Sequence, residues 1–432
     1  MREILFITFL LLPGTNLFGQ YSFNSVEEVW NYALGNNPQN SVYNLKIEST
    51  ENTSRAARSY IYPKVSGGFS FQKNSDIPET PVPGEIYGKP GQTSYLKFGQ
   101  KYNYSASVTV SKTILDWRSR FQYRIASLTI ELSKAEKEYF EQTLKEQIAQ
   151  LYYSALTAKE ALRIGQSDLS VSNEMLANSE SRFAEGVIDS LAYNQALINR
   201  NNAFEKLEMN RQYQLESMNN LKQLMGLNRN DTIILKEDIS VETINRNPES
   251  FFTINKYTEL LRLQNDISGV EVSKARSMFY PKIDIVHYFG VQQYQEEFKL
   301  KPSDWKSNQY TGISVSIPIF TGFLNKAQYD AAVIENKIAE INYKDEIRKS
   351  AIDDENLTSA YTSTMIISQK SKETFQISKK NIQLALQKYS QGIYALDDYL
   401  KIFDDYLTVE TQYLNNLSEF LVNKAIIEVR QK

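Results

Sequence analysis

Ala57-Arg58-Ser59-Tyr60-Ile61-Tyr62-Pro63-Lys64 returns 218 residues later as Ala275-Arg276-Ser277-Met278-Phe279-Tyr280-Pro281-Lys282, with six of the eight positions identical. That offset is close to half of the 432 residues, which reads as a tandem duplication. Outward from it, Asn37-Pro38 pairs with Asn247-Pro248, and Ser107-Val108 with Ser314-Val315. Phe183-Ala184-Glu185-Gly186 likewise pairs with Tyr389-Ser390-Gln391-Gly392. The expected repeats span residues 21–226 and 251–432, and the stretch 227–250, rich in Asn, Asp and Glu without helical periodicity, is the linker.

Each repeat has the same order of elements: a helix of about 30 residues, two strands, a helix of about 65, a glycine-marked turn and a helix of about 35. The strands are expected at about 63–73, 102–115, 281–292 and 310–320, and the helical hairpins at about 117–226 and 322–430. Val65, Phe69 and Phe71 alternate with Ser66, Ser70 and Gln72, and Tyr102, Tyr104, Ala106, Val108 and Val110 alternate with Asn103, Ser105, Ser107, Thr109 and Ser111. Ile283, Ile285, Phe289 and Val291 continue the scheme, as do Ile313, Val315, Ile317 and Ile319 against Ser314 and Ser316.

Segments of about ten residues with one apolar and one small polar face have the length and period of outer-membrane barrel strands. A soluble β-sandwich is the competing reading, but a face of Ser, Thr and Asn suits a wet lumen better than a charged outer surface. Four strands cannot close a barrel, because the smallest have about eight, so copies of the chain must share one in lipid. The connections 74–100 and 293–308, with their Pro, Gly and mixed charge, read as exposed loops.

Leu144, Ile148, Leu151, Ala155, Ala158 and Leu162 recur at coiled-coil spacing, as do Ala327, Ala331, Ile334, Ile338 and Ile341. The helix opening at Trp117 runs for about 66 residues, or ~100 Å, far beyond the needs of a globular domain. The fold class is therefore mainly α with a β-barrel portion: long coiled periplasmic helices plus four transmembrane strands per chain.

The N-terminus carries Arg2, the apolar run Ile4 to Leu12 and then Pro13-Gly14, and reads as a signal peptide over 1–20. Beyond it no stretch approaches about eighteen consecutive apolar residues. The chain has no cysteine, which excludes disulfides and thiolate chemistry, and a formal net charge of −3 with interspersed signs offers no footprint for nucleic acid.

No Gly-rich phosphate loop, serine elbow or cleft-forming pair of carboxylates is present, so the chain reads as no enzyme, with no catalytic residue, metal or cofactor. The single histidine, His287, reads as an inter-strand or interfacial residue, and Asp353-Asp354-Glu355 as a solvated helix face. Gly186 and Gly392 let the chain turn back between helices, at tips that could also contact a partner. Asp397, Asp398, Asp404 and Asp405 follow the second turn, as an acidic ring at an entrance or as a plain solvated face.

The repeated helix, strand, strand, helix, helix order resembles the outer-membrane efflux protein (TolC) family. So do Ala33-Leu34-Gly35-Asn36-Asn37-Pro38, the two Tyr-Pro-Lys strand starts and the tip pattern. In that pattern an aromatic is followed by Gly and then by Asp, which Tyr389, Gly392 and Asp398 fit; Phe183 and Gly186 fit in the first repeat, with Ala192 in place of the Asp. The resemblance implies a homotrimer sharing one barrel in outer-membrane lipid, with its helical tunnel in the periplasm. It also implies a gated entrance near Asp398 and docking of Phe183, Gly186, Tyr389 and Gly392 onto a periplasmic adaptor protein joined to an inner-membrane transporter. The chain would be the exit duct of an efflux pump or type I secretion system. The alternative is a periplasmic or surface coiled-coil spacer or adhesive protein without channel activity.

Overall fold

A computed structural model describes residues 19–239 and 255–431. Most of the signal peptide, the end of the linker and the start of the second repeat lie outside the described residues. In chain order the first elements are β1 (Gln20–Phe23), α1 (Val26–Asn36), α2 (Pro38–Ala57), β2 (Lys64–Lys73), β3 (Glu79–Pro83) and β4 (Thr93–Lys97). Then come β5 (Tyr102–Leu115), α3 (Trp117–Ala184), α4 (Ser190–Met225), β6 (Thr232–Leu235) and α5 (Lys256–Arg276). The last are β7 (Lys282–Gln295), β8 (Lys306–Ser316), α6 (Leu324–Ser390) and α7 (Leu396–Gln431). Two compact units result, one from Lys46–Lys134 and Leu261–Tyr343, the other from the described residues of 1–45, 135–260 and 344–432.

The first unit holds a four-stranded antiparallel sheet in the order β2-β5-β7-β8. Its register pairs Phe71 with Tyr104, Phe69 with Ala106, Val108 with Phe289 and Ile285 with Ile313. Because side chains alternate along a strand, these residues share one face, and Ser66, Ser107, Thr109 and Ser314 share the other. Most of the apolar face is bare: Val65, Phe69, Val108, Phe289, Ile313 and Val315 are exposed, while Tyr104 is buried beside Phe71 and Phe298.

The small polar face carries two rings that the alternation scheme did not include, Tyr288 and Tyr310, stacked at 5.2 Å between centroids. His287 Nδ1 lies 2.8 Å from Thr311 Oγ1, its partner across the ladder, which fits an inter-strand role. Thr113 donates to Asp284 Oδ1 at 2.7 Å beside the one irregularity in the β5–β7 register.

Tyr-Pro-Lys starts β2 and β7 for a steric reason. The helix tightens into a short 3-10 turn, Arg58–Ile61 or Ser277–Phe279, and the proline ring then forces the tyrosine before it out of helical geometry, with ψ 152° at Tyr62 and 153° at Tyr280. The last strand is Lys306–Ser316 and not 310–320, because Pro318 has no N–H for the ladder and leaves Ile317, Ile319 and Phe320 exposed beyond its end. Its partner β7 runs to Gln295, past the expected 292. The 74–100 connection is a hairpin and not plain loop: β3 pairs with β4 over Glu79–Pro83 and Thr93–Lys97.

The second unit is helical. The expected first helix breaks at Asn37, since Pro38 is suited only to a first turn. Asn37 is buried and serves two helix ends: Oδ1 accepts from Gln39 N, and Nδ2 donates to the Leu224 carbonyl in the last turn of α4, both at 2.8 Å. Gly226 ends α4 at φ +72°, and a Cβ there would sit 2.5 Å from the Asn36 carbonyl oxygen, so only glycine fits this close approach.

The connector after α4 is also more than linker. Thr232–Leu235 pairs in parallel with β1, and Lys159 Nζ and the Tyr152 hydroxyl hold the Leu235 carbonyl and the Glu237 carboxylate at 3.0 and 2.7 Å. The seam Leu144, Ile148, Ala155 and Ala158 is buried in this unit. The second seam, in the sheet unit, is not: Ile334, Ile338 and Ile341 are 57%, 45% and 66% exposed.

Candidate functional site

At both hairpin tips the helix ends in a glycine with a left-handed backbone, Gly186 at φ +72° and Gly392 at +75°. Gly186 N–H bonds the Phe183 carbonyl at 3.0 Å and Val187 N–H that of Arg182 at 2.8 Å; Gly392 and Ile393 repeat the pattern onto Tyr389 and Lys388 at 2.9 and 2.8 Å. These bonds satisfy the last carbonyls of α3 and α6 and reverse the chain.

The outgoing helices start on opposite halves of one capping arrangement. Asp189, just before α4, accepts the Ala192 N–H at 2.9 Å, whereas Asp398, inside the first turn of α7, accepts the Ala395 N–H at 3.3 Å. Ala192 thus departs from the tip pattern without leaving its helix uncapped. Asp189 was legible as a capping residue ahead of Ser190-Leu191-Ala192, although the sequence reading passed over it.

The aromatic residues at the tips differ. Phe183 is 42% exposed and stacks on Tyr193 at 5.3 Å. Tyr389 is 1% exposed: its hydroxyl lies 2.7 Å from Ser179 Oγ, its carbonyl accepts from Arg182 Nη1 at 3.1 Å, and the Arg182 guanidinium sits 5.1 Å from its ring centroid. Neither Ser179 nor Arg182 carried a signal in the sequence.

A cavity of about 910 Å³ opens beside the tips, lined by Asp397, Asp404, Asp405, Tyr389 and Gly392 together with Asp189, Arg182 and Lys401. Asp398 faces the cap and is not in its lining, and neither are Phe183 and Gly186. Asp397, Asp404 and Asp405 are exposed and bring acid to one wall. The other acidic run, Asp353-Asp354-Glu355, splits around its helix: Asp354 accepts from Arg430 at 3.4 Å, and Asp353 and Glu355 are exposed.

Residues 29–227 match the outer membrane efflux protein family. This segment, a little under half of the chain, is thus similar to that family. The fold of the chain is that of solved outer membrane channels. The outer membrane protein VceC of Vibrio cholerae aligns with a TM-score of 0.77 at 16% identity, over 94% of this chain and 96% of its own. The CmeC outer membrane channel of Campylobacter jejuni aligns at 0.77 and 16%, over 100% and 93%. The open state of the MtrE outer membrane channel of Neisseria gonorrhoeae aligns at 0.74 and 16%, over 94% and 88%. No curated protein matches the chain by sequence. The fold is that of these channels, and no helix among the described residues is long and apolar enough to cross a membrane.

Proposed function

We propose that this chain is one subunit of a homotrimeric exit duct. Its sheet completes a shared barrel in the outer membrane, and its helices carry substrates across the periplasm from an inner-membrane transporter and its adaptor protein. The observation that carries this reading is the sheet itself: an exposed apolar face, a small polar face, and β2 and β8 left as open edges. Unpaired edge groups in lipid cost several kcal/mol each, so the edges call for further copies of the same strands. The exposed Ile334, Ile338 and Ile341 seam gives a neighbouring copy a second apolar surface to cover.

In this reading two repeats, residues 21–226 and 251–432, build the subunit. Phe183, Gly186, Tyr389 and Gly392 present the tips to the adaptor, and Asp397, Asp398, Asp404 and Asp405 supply acid at the periplasmic entrance. The partner transporter is that of a tripartite efflux pump or a type I secretion system.

The test is single-channel current in a planar bilayer with native mass measurement in detergent. A trimer with discrete conductance is expected, while a stable monomer or a silent bilayer would favour a spacer. The faces are checked by Val108→Arg against Thr109→Arg. Arginine at lipid mid-depth costs about 2–4 kcal/mol, so Val108→Arg lowers trimer yield and Thr109→Arg much less.

A further inference from the structure

Away from the tips, two acids lie deep in the helical unit. Asp168 of α3 is 4% exposed and Glu410 of α7 only 1%. Glu410 lies one turn beyond Tyr406 on α7, and Tyr406 reaches Asp168, so the two carboxyl groups come near each other and each acts on the other's protonation. Two bare carboxylates have only acceptors, so a bond between them would require a proton on one of them. The Tyr406 hydroxyl donates to Asp168 Oδ1 at 3.1 Å, and Lys206 of α4 holds Nζ 3.3 Å from both Glu410 oxygens. The other Asp168 oxygen, Oδ2, is buried and receives no N–H or hydroxyl, so a protonated Glu410 is the donor at hand.

Every packed element adds charge here. On α3, Arg163 acts on Tyr406 and Glu160 on Tyr413; α4 contributes Lys206; α6 contributes Lys379, which attracts Asp168; and α7 carries Tyr406, Glu410 and Tyr413. Burial, then the Asp168 charge, pushes Glu410 up to about 8 against the pull of Lys206, and burial raises Asp168 as well.

We propose that Asp168 and Glu410 form a one-proton latch between α3 and α7, closed while the proton is shared and loosened when it is lost to water. Release leaves two carboxylates facing each other on neighbouring helices with Lys206 shared between them, and their repulsion drives the helices apart. Any effect on conduction rests on the channel reading above; the latch itself does not.

The folded state holds the Glu410 proton up to about pH 8, while the unfolded chain releases it near the ordinary 4.5. The stabilisation is therefore complete below the lower value and lost progressively as pH rises to the higher one. In the purified full-length protein, the thermal midpoint of the helical circular dichroism should fall between about pH 5 and 9. Glu410→Gln keeps a donor toward Asp168 and cannot ionise. It should flatten this profile and melt above wild type at about pH 9, whereas a slope equal to wild type overturns the latch.

Should that variant not fold, infrared spectroscopy of wild type decides. The carbonyl band of a buried protonated acid should be present at about pH 6 and vanish near about pH 8–9, and its absence at the lower pH overturns the proposal. Both spectroscopic signals together with a silent bilayer would support the latch and count against the duct.

Discussion

Between α6 and α7, Phe375 stacks on Tyr413 at 5.0 Å and Tyr361 meets Phe420 at 5.8 Å, so these helices are joined by large rings. Between α3 and α4 the one ring pair is Phe183 on Tyr193 at the exposed tip, and farther along the contact includes a glycine and backbone. Gly165 lies against Leu207 and Asn210, with 3.2 Å from a would-be Cβ to Asn210 Nδ2, and Asn210 donates to the Ala161 carbonyl at 3.0 Å. Ala196 and Ala203 are buried on the same helix. One hairpin derives its cohesion from apolar area, the other from close approach and side chain to backbone hydrogen bonds. The tips repeat the contrast: Tyr389 is sunk onto α3, and its counterpart Phe183 is left exposed. Matching residues in duplicated hairpins have taken a buried anchoring position in one and a surface position in the other.

The sharpest way to break this comparison is to cut the rings. Phe420→Ala should cost about 3–5 kcal/mol, because truncating a buried aromatic leaves a cavity that the helices only partly fill, whereas Ala203→Gly in α4 should cost about 1 kcal/mol. Thermal midpoints of the helical circular dichroism compare them, and equal losses would mean that both hairpins share one kind of core.

Next in size are Gly186→Val and Gly392→Val, each about 1–3 kcal/mol for a β-branched residue forced into left-handed backbone. Open space surrounds Gly186, and only Arg182 Nη2, at 3.7 Å, approaches the Cβ position at Gly392, so the two should cost nearly the same. Hydrogen exchange at the tips measures this, and under the proposed duct the double variant should lose export in cells while its oligomeric state in detergent matches wild type.

Tyr389→Phe should cost about 1 kcal/mol by removing the bond to Ser179, against less than about 0.5 kcal/mol for Phe183→Leu at the exposed counterpart. Exchange rates of the last α6 amides would register the first and not the second. The smallest difference concerns the caps: Asp189→Ala should cost about 0.5–2 kcal/mol and Asp398→Ala no more than about 1, read from exchange in the first turns of α4 and α7. Asp398→Asn adds a functional arm. Weaker trivalent cation block and lower cation selectivity in the bilayer would assign it to the entrance, while unchanged values would leave it as a cap and turn attention to Asp404 and Asp405.

The sheet was legible because a period of two is hard to imitate over ten residues, and Ser107-Val108-Thr109 announces both faces in three letters. The Tyr-Pro-Lys starts were legible for a local steric reason. β1 and β6 were not, since four residues are too few to carry a period, and β3–β4 was hidden by prolines that an edge hairpin tolerates. The break at Asn37 could have been read from Pro38, but the buried amide joining two helix ends could not, because its partner Leu224 lies 187 residues away.

Read alone, the sequence determined the periodicities, the duplication and the chain reversals at Gly186 and Gly392, all of which depend on neighbours within a few residues. Tertiary structure alone decided which apolar stripe is covered and which is bare: Leu144 to Ala158 went into a core, whereas Ile334 to Ile341 stayed open. It also decided that Tyr389 would find Ser179 and that Asp168 would meet Tyr406. Spacing tells which side chains share a face of a helix; what that face meets depends on partners hundreds of residues away in the chain.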